Sequence, residues 1–146
     1  MQLAAPVLMG RICEMQIPGA GQVKIWINSR EHCDPHVHCG DNSDAWEARV
    51  KFSFIDNQAM LWDVLSLFDP GRRVFSEIER QLVAHLRVCR AEWWNNFSAS
   101  FGCCLTNTMQ FDAVGQRWRV SAATYDSATN STELVFINGF RRTLRL

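Results

Sequence analysis

The chain has 146 residues with 15 basic and 15 acidic side chains, so its formal net charge is zero. That length fits one domain, or one domain with a small appended unit, and the neutral balance argues against a dedicated nucleic-acid binder held by phosphate neutralisation. A hydrophobic share of 47%, with six Trp and nine Phe against one Tyr, is enough for a heavy aromatic core.

The distribution of charge is uneven. Residues 11–70 carry five Lys/Arg and nine Asp/Glu, a balance of −4, while residues 71–146 carry ten and six, a balance of +4. Met1 to Gly10 is apolar but has no positive charge ahead of its apolar run, and no stretch approaches the length of a membrane span; a soluble, cytoplasmic protein away from the membrane is expected. The six cysteines, at 13, 33, 39, 89, 103 and 104, show no repeated framework, so reduced thiols are expected.

In chain order, Arg11 to Ile17 alternates apolar and polar residues and reads as a strand closed by Pro18-Gly19. Val23 to Asn28 reads as a second strand, with Val23, Ile25 and Ile27 on one face and Lys24, Trp26 and Asn28 on the other. Asp41 to Asp44 looks like a turn. Trp46 to Ile55 is the longest alternating run: Trp46, Ala48, Val50, Phe52 and Phe54 share a face opposite Glu47, Arg49, Lys51 and Ser53. After Asp56-Asn57, Ala59 to Leu65 returns as its partner. The first half is thus expected to be a meander of about four antiparallel strands.

Asp69-Pro70-Gly71 opens a helix from about Arg72 to Phe97, whose apolar stripe is Val74, Ile78, Leu82, Leu86, Cys89 and Trp93. Its nearest apolar partner is the open face of the meander, giving an α+β layer with one core. His85 beside the stripe reads as a core histidine. Residues 98–112 read as a linker containing the vicinal Cys103-Cys104. Arg117 to Ala122 and Thr132 to Ile137 are strands, and Asn138-Gly139 is a hairpin turn into Phe140 to Leu146. The predicted organisation is a main α+β domain over 1–97, the linker, and a small antiparallel β unit over 113–146, too short to be stable alone.

The chemistry concentrates between residues 31 and 39, which hold three of the four histidines, two cysteines and two carboxylates. On an extended segment, residues two apart share a face, and Pro35 disfavours the helical region for Asp34; His36 and His38 are therefore expected to point together. His32, His36, His38 and Cys39 are candidate ligands for zinc or another divalent transition metal. His36, His38 and Asp34 are candidate acid/base groups, and Glu31, Asp34, His36, His38, Asp41 and Asp44 are candidate contacts to a partner. The spacing matches neither C-x-x-C nor H-E-x-x-H.

Val23 to Phe97 resembles a bacterial domain of unknown function that carries a strand, a segment E/D-H-x-P-P-H-x-H, a strand pair and a Trp-rich helix. Here the segment is Glu31-His32-Cys33-Asp34-Pro35-His36-Val37-His38, and the helix ends in Trp93-Trp94; Asp34 replaces the first proline. Residues 118–146 are similar to a second small family of unknown function, through Leu134-Val135-Phe136-Ile137-Asn138-Gly139. The two types are often encoded as neighbours in toxin-antitoxin-like loci, which implies a fusion of the two and a context rather than a chemistry.

Three functions stay open. The leading expectation is a non-enzymatic interaction module, antitoxin-like, immunity or regulatory, that binds a protein partner through its acidic half, with a homodimer and DNA as further partners. The second is a metal-assisted or acid/base enzyme, a hydrolase or nuclease, built on the histidine segment. The third is nucleic-acid binding through the basic half, with Arg72, Arg73, Arg141 and Arg142 on phosphates.

Overall fold

The computed structural model describes residues 9–28, 30–31, 34–101, 109–111 and 114–146, with backbone only at 9, 98–101 and 109–111. The architecture is α+β. Five strands, β1 (Met9–Ile17), β2 (Gly21–Asn28), β3 (His36–Asp41), β4 (Glu47–Phe52) and β5 (Ala59–Val64), form an antiparallel sheet in sequence order. The expected four-stranded meander gains its fifth strand from the histidine segment itself. All of β3 but its last residue is buried on both faces, so it lacks the alternation of polarity that marks a half-exposed strand.

The alternating faces are placed as their patterns predict. Val23, Ile25, Ile27, Val37, Cys39, Ala48, Val50 and Phe52 are buried together on the inner face. Against them packs a helical rod: α1 (Arg72–Leu82), one 3-10 turn over Val83–His85, and α2 (Leu86–Phe101). Asp69 accepts a hydrogen bond from the Gly71 amide at 2.8 Å, and the helix begins one residue later. Val74, Ile78, Leu82, Leu86, Cys89 and Trp93 are all buried; fully burying an apolar side chain of this size stabilises by about 1.5–3 kcal/mol. Trp46 stands edge-on to Phe75, and Phe52 to Trp93. His85 is half-buried in the 3-10 turn. No helix among the described residues is long and apolar enough to cross a membrane.

The C-terminal strands β7 (Arg117–Asp126), β8 (Ser131–Phe136) and β9 (Arg141–Arg145) form a three-stranded antiparallel sheet, extended at its outer edge by the short β6 (Met109–Phe111). The stretch read as a linker therefore holds the end of α2 and β6, while Cys103 and Cys104 lie outside the described residues. The Asn138-Gly139 hairpin closes as expected, with Gly139 at φ +86° and its amide donating to the Phe136 carbonyl at 2.9 Å.

This second sheet packs on the first unit. Ala123, Tyr125, Leu134 and Phe136 join the common core, and Tyr125 meets Phe54 edge-on with ring centroids 5.0 Å apart. Arg90 supplies a buried polar link: it is 1% exposed and donates to the Ser53 and Asp56 carbonyls (both 2.8 Å), Asn57 Oδ1 (2.9 Å) and Asn130 Oδ1 (3.3 Å). One helical side chain thus ties the β4–β5 connection to the β7–β8 turn.

Candidate metal centre

β3 is the middle strand of the first sheet, held by β2 on one side and β4 on the other. Its outer face carries His36 and His38, with Trp26 directly across from His38 on β2, and Arg49 and Lys51 across on β4. Pro35 starts the strand: its carbonyl accepts from the Phe52 amide at 3.2 Å. Glu31, from the connection between β2 and β3, folds back over both imidazoles. The Glu31, His36 and His38 side chains are 6%, 0% and 8% exposed, so the cluster is closed off from bulk water.

Glu31 joins the two rings. Its Oε2 lies 2.9 Å from His36 Nε2 and its Oε1 2.5 Å from His38 Nε2. The far nitrogens are also engaged: His36 Nδ1–H donates to the Asp34 carbonyl at 2.7 Å, and His38 Nδ1–H to Glu47 Oε2 at 3.2 Å. Glu31, Glu47 and the Asp34 carbonyl only accept, so each ring lies between two acceptors: both nitrogens carry protons in an imidazolium, and a neutral ring that keeps its Nδ1–H turns an Nε2 lone pair toward Glu31. Asn28 agrees with that arrangement. Its Oδ1 accepts from the Trp26 indole at 3.0 Å, which turns its Nδ2 donor toward His38 Nε2 at 3.2 Å.

Two imidazole lone pairs against a carboxylate attract only through a cation between them, either protons or a metal ion. Burial opposes the charge on Glu31, but hydrogen bonds and charges from His36 and His38 outweigh it and hold the carboxyl far below its usual range. Burial likewise opposes charge on His38, and is outweighed by Glu31 and Glu47, so its pKa is raised. One ligand atom from each of Glu31, His36 and His38 lies within 4.8 Å of the others. Ligands about 2.1 Å from a tetrahedral zinc lie about 3.4 Å apart, so small side-chain rotations would close the set on an ion. Both histidines already have the second hydrogen bond that orients a metal-bound imidazole.

Aromatic side chains wall the site. Trp26 stacks on His38 at 5.6 Å and 20°, and Trp62 meets His36 edge-on at 5.1 Å. Arg49 and Lys51 lie over the Trp62 ring at 4.2 and 4.5 Å, while Arg49 is clamped by Asp63. Trp93 reaches His36 from the helix, 5.3 Å between centroids. Beside Trp26 a groove of about 380 Å³ opens, lined by Arg11, Lys24, Trp26, Asp44 and Glu47.

The sequence candidates are thus divided. His36, His38 and Glu31 converge. Asp34 contributes its carbonyl to His36, while its carboxylate pairs with Lys51 at 3.1 Å. Cys39 is one residue out of phase with the histidines and lies in the inner core, where burial pushes its thiol up to about 12; the structure does not bring it to the cluster. Asp41 holds its own turn through Ser43 and the Ala45 amide, and Asp44 pairs with Lys24 at 3.2 Å. His32 lies outside the described residues. On the basic half, Arg72 pairs with Glu79 and Arg141 with Glu133, while Arg73 and Arg142 are exposed on α1 and β9. Glu47, Asn28 and Trp26 were not read as part of the site; the alternation of β4 shows Glu47 on the outer face, but only the register brings it to His38.

No family model, no curated protein and no solved structure matches the chain.

Proposed function

We propose that the chain is a metal-binding module in which Glu31, His36 and His38 hold one divalent transition ion. The observation that carries this reading is the placing of one buried carboxylate between two Nε2 atoms whose rings already donate through Nδ1. Two imidazoles and a carboxylate suit zinc, iron(II) and their neighbours, and Cys39, on the other face, adds no thiolate that would favour copper(I). With three protein ligands a further position is open to water, which makes metal-assisted hydrolysis the enzymatic form of the proposal. Elemental analysis of protein purified without a tag or chelator tests it. Stoichiometric metal in the wild type that is lost in His36→Ala/His38→Ala is expected; equal metal content in the two would defeat it.

A protein-binding module is the second reading, favoured by one surface. β5 is an edge strand, and Met60 on it and Leu65, Leu67 and Phe68 just beyond it are exposed; exposed apolar side chains near a sheet edge suit a partner strand or loop. A partner that is retained by the wild type and released by Leu67→Ser/Phe68→Ser, with an unchanged melt, would support it.

A further inference from the structure

The groove beside the metal centre has a charge pattern of its own. Arg11 on β1 and Lys24 on β2 stand at one side; Asp44, in the β3–β4 turn, and Glu47 on β4 stand at the other. Trp26 lies between them. Gly40 lets the indole lie down on the sheet, because a Cβ there would stand 3.4 Å from the Trp26 ring and 2.8 Å from the Trp46 carbonyl oxygen. At about 380 Å³ the groove falls at the small end of the range for small-molecule sites, about 300–1,000 Å³.

We propose that this groove binds a small zwitterion of the α-amino-acid type, with its carboxylate on Arg11 and Lys24, its ammonium on Asp44 and Glu47, and its side chain on the Trp26 indole. A simple anion would meet two carboxylates, and a simple cation two basic side chains. A ligand that carries both charges a few bonds apart satisfies both walls. Two of the pairs the walls now make, Lys24 with Asp44 at 3.2 Å and Arg11 with Glu14 at 3.0 Å, are exposed pairs that contribute little, while Glu47 keeps Oε2 on His38 and turns its Oε1 to the ligand. The indole face already attracts a cation, Lys24 Nζ at 5.9 Å from the ring centroid, and would attract the ligand ammonium in the same way. The groove goes beyond the metal reading and needs no ion.

Calorimetric titration of the full chain, metal-free and metal-loaded, with free amino acids and their N-acetyl and C-amide forms tests the assignment. The free forms are expected to bind to both preparations, and each capped form at least tenfold more weakly. Lys24→Met is expected to erase the preference for a free carboxylate, and Asp44→Asn the preference for a free amine. Asn tolerates the φ of +56° found at that position. Capped and free forms that bind alike, or no heat up to about 10 mM ligand, would overturn the proposal. Binding confined to the metal-loaded protein would assign the ligand to the ion and overturn the groove as its site.

Discussion

Glu47 Oε2 stands 3.2 Å from His38 Nδ1, on the side of the ring away from Glu31, and the Glu47 side chain is 43% exposed. The contact gives an Nδ1–H its acceptor, so that Nε2 is the nitrogen a metal ion would take. Removal of such an orienting partner commonly costs about 10–100-fold in metal affinity. Glu47→Ala is therefore expected to weaken metal binding by that factor in competition with a chromophoric chelator, while Glu47→Gln, which keeps an acceptor, loses less. Identical affinities for all three proteins would remove Glu47 from the site.

The metal-free and loaded proteins should respond to pH in opposite ways. The Glu31 carboxyl is held below its ordinary 4.5, so its contribution to stability is present above pH 4.5 and is lost as pH falls through the depressed value. His38 is raised above 6.5, so its contribution is complete below pH 6.5 and is lost as pH rises through the raised value. Without metal the pair stabilises most between these limits. An ion needs deprotonated ligands, so the rise in Tm on adding zinc should grow from about pH 6 to pH 8, where the metal-free advantage of wild type over His38→Gln shrinks. Thermal melts across that range check both trends, and a metal-free advantage that widens with pH would contradict the first.

Arg90 is the buried member of the polar contacts that tie the second sheet to the first unit, which include the exposed ones of Arg87 to the Ser127 and Ala128 carbonyls and of Asn57 to the Leu146 carbonyl. Arg90→Met would leave the Ser53 and Asp56 carbonyls and the Asn57 amide oxygen without their buried donor, while Asn130 Oδ1 keeps the Tyr125 hydroxyl. Each such group costs about 1–3 kcal/mol when left unsatisfied, with part recovered by water, so a loss of about 3 kcal/mol in urea melts is expected. Arg90→Lys should recover little, because one ammonium cannot span four acceptors that the guanidinium fork reaches. Full stability in either variant would mean that the second sheet is held without any contribution from Arg90.

Gly40, the last residue but one of β3, has no room for a side chain. A Cβ would stand 2.8 Å from the Trp46 carbonyl oxygen, which as backbone cannot swing away. Gly40→Ala should cost about 1–3 kcal/mol through overpacking and shift Trp26 from its stack on His38. Chemical denaturation, with Trp26→Phe as the fluorescence control, reads both effects; an unchanged melting curve would show that β3 and β4 can separate without strain.

Much of this protein was legible in the chain because local patterns carried it. Alternation from Val23 to Asn28 and from Trp46 to Phe54 fixed which residues face the core, the stripe from Val74 to Trp93 fixed the buried side of the helix, and Asn138-Gly139 fixed the last hairpin. The H-x-H spacing at His36 and His38 was enough to place both imidazoles on one face, since side chains on a strand repeat every two residues. The same rule puts Cys39 on the opposite face, although it was read as a candidate ligand with them. The site itself belongs to the tertiary structure. Glu47 comes to His38 only through the β3–β4 register, Trp26 and Asn28 through β2, Trp62 through β5, and Glu31 through the fold of a connection that no local periodicity describes. Periodicity acts between neighbours in sequence; register and the closure of a connection over a buried carboxylate are settled by hydrogen bonds and packing between distant segments, and these exist only once the sheet has formed.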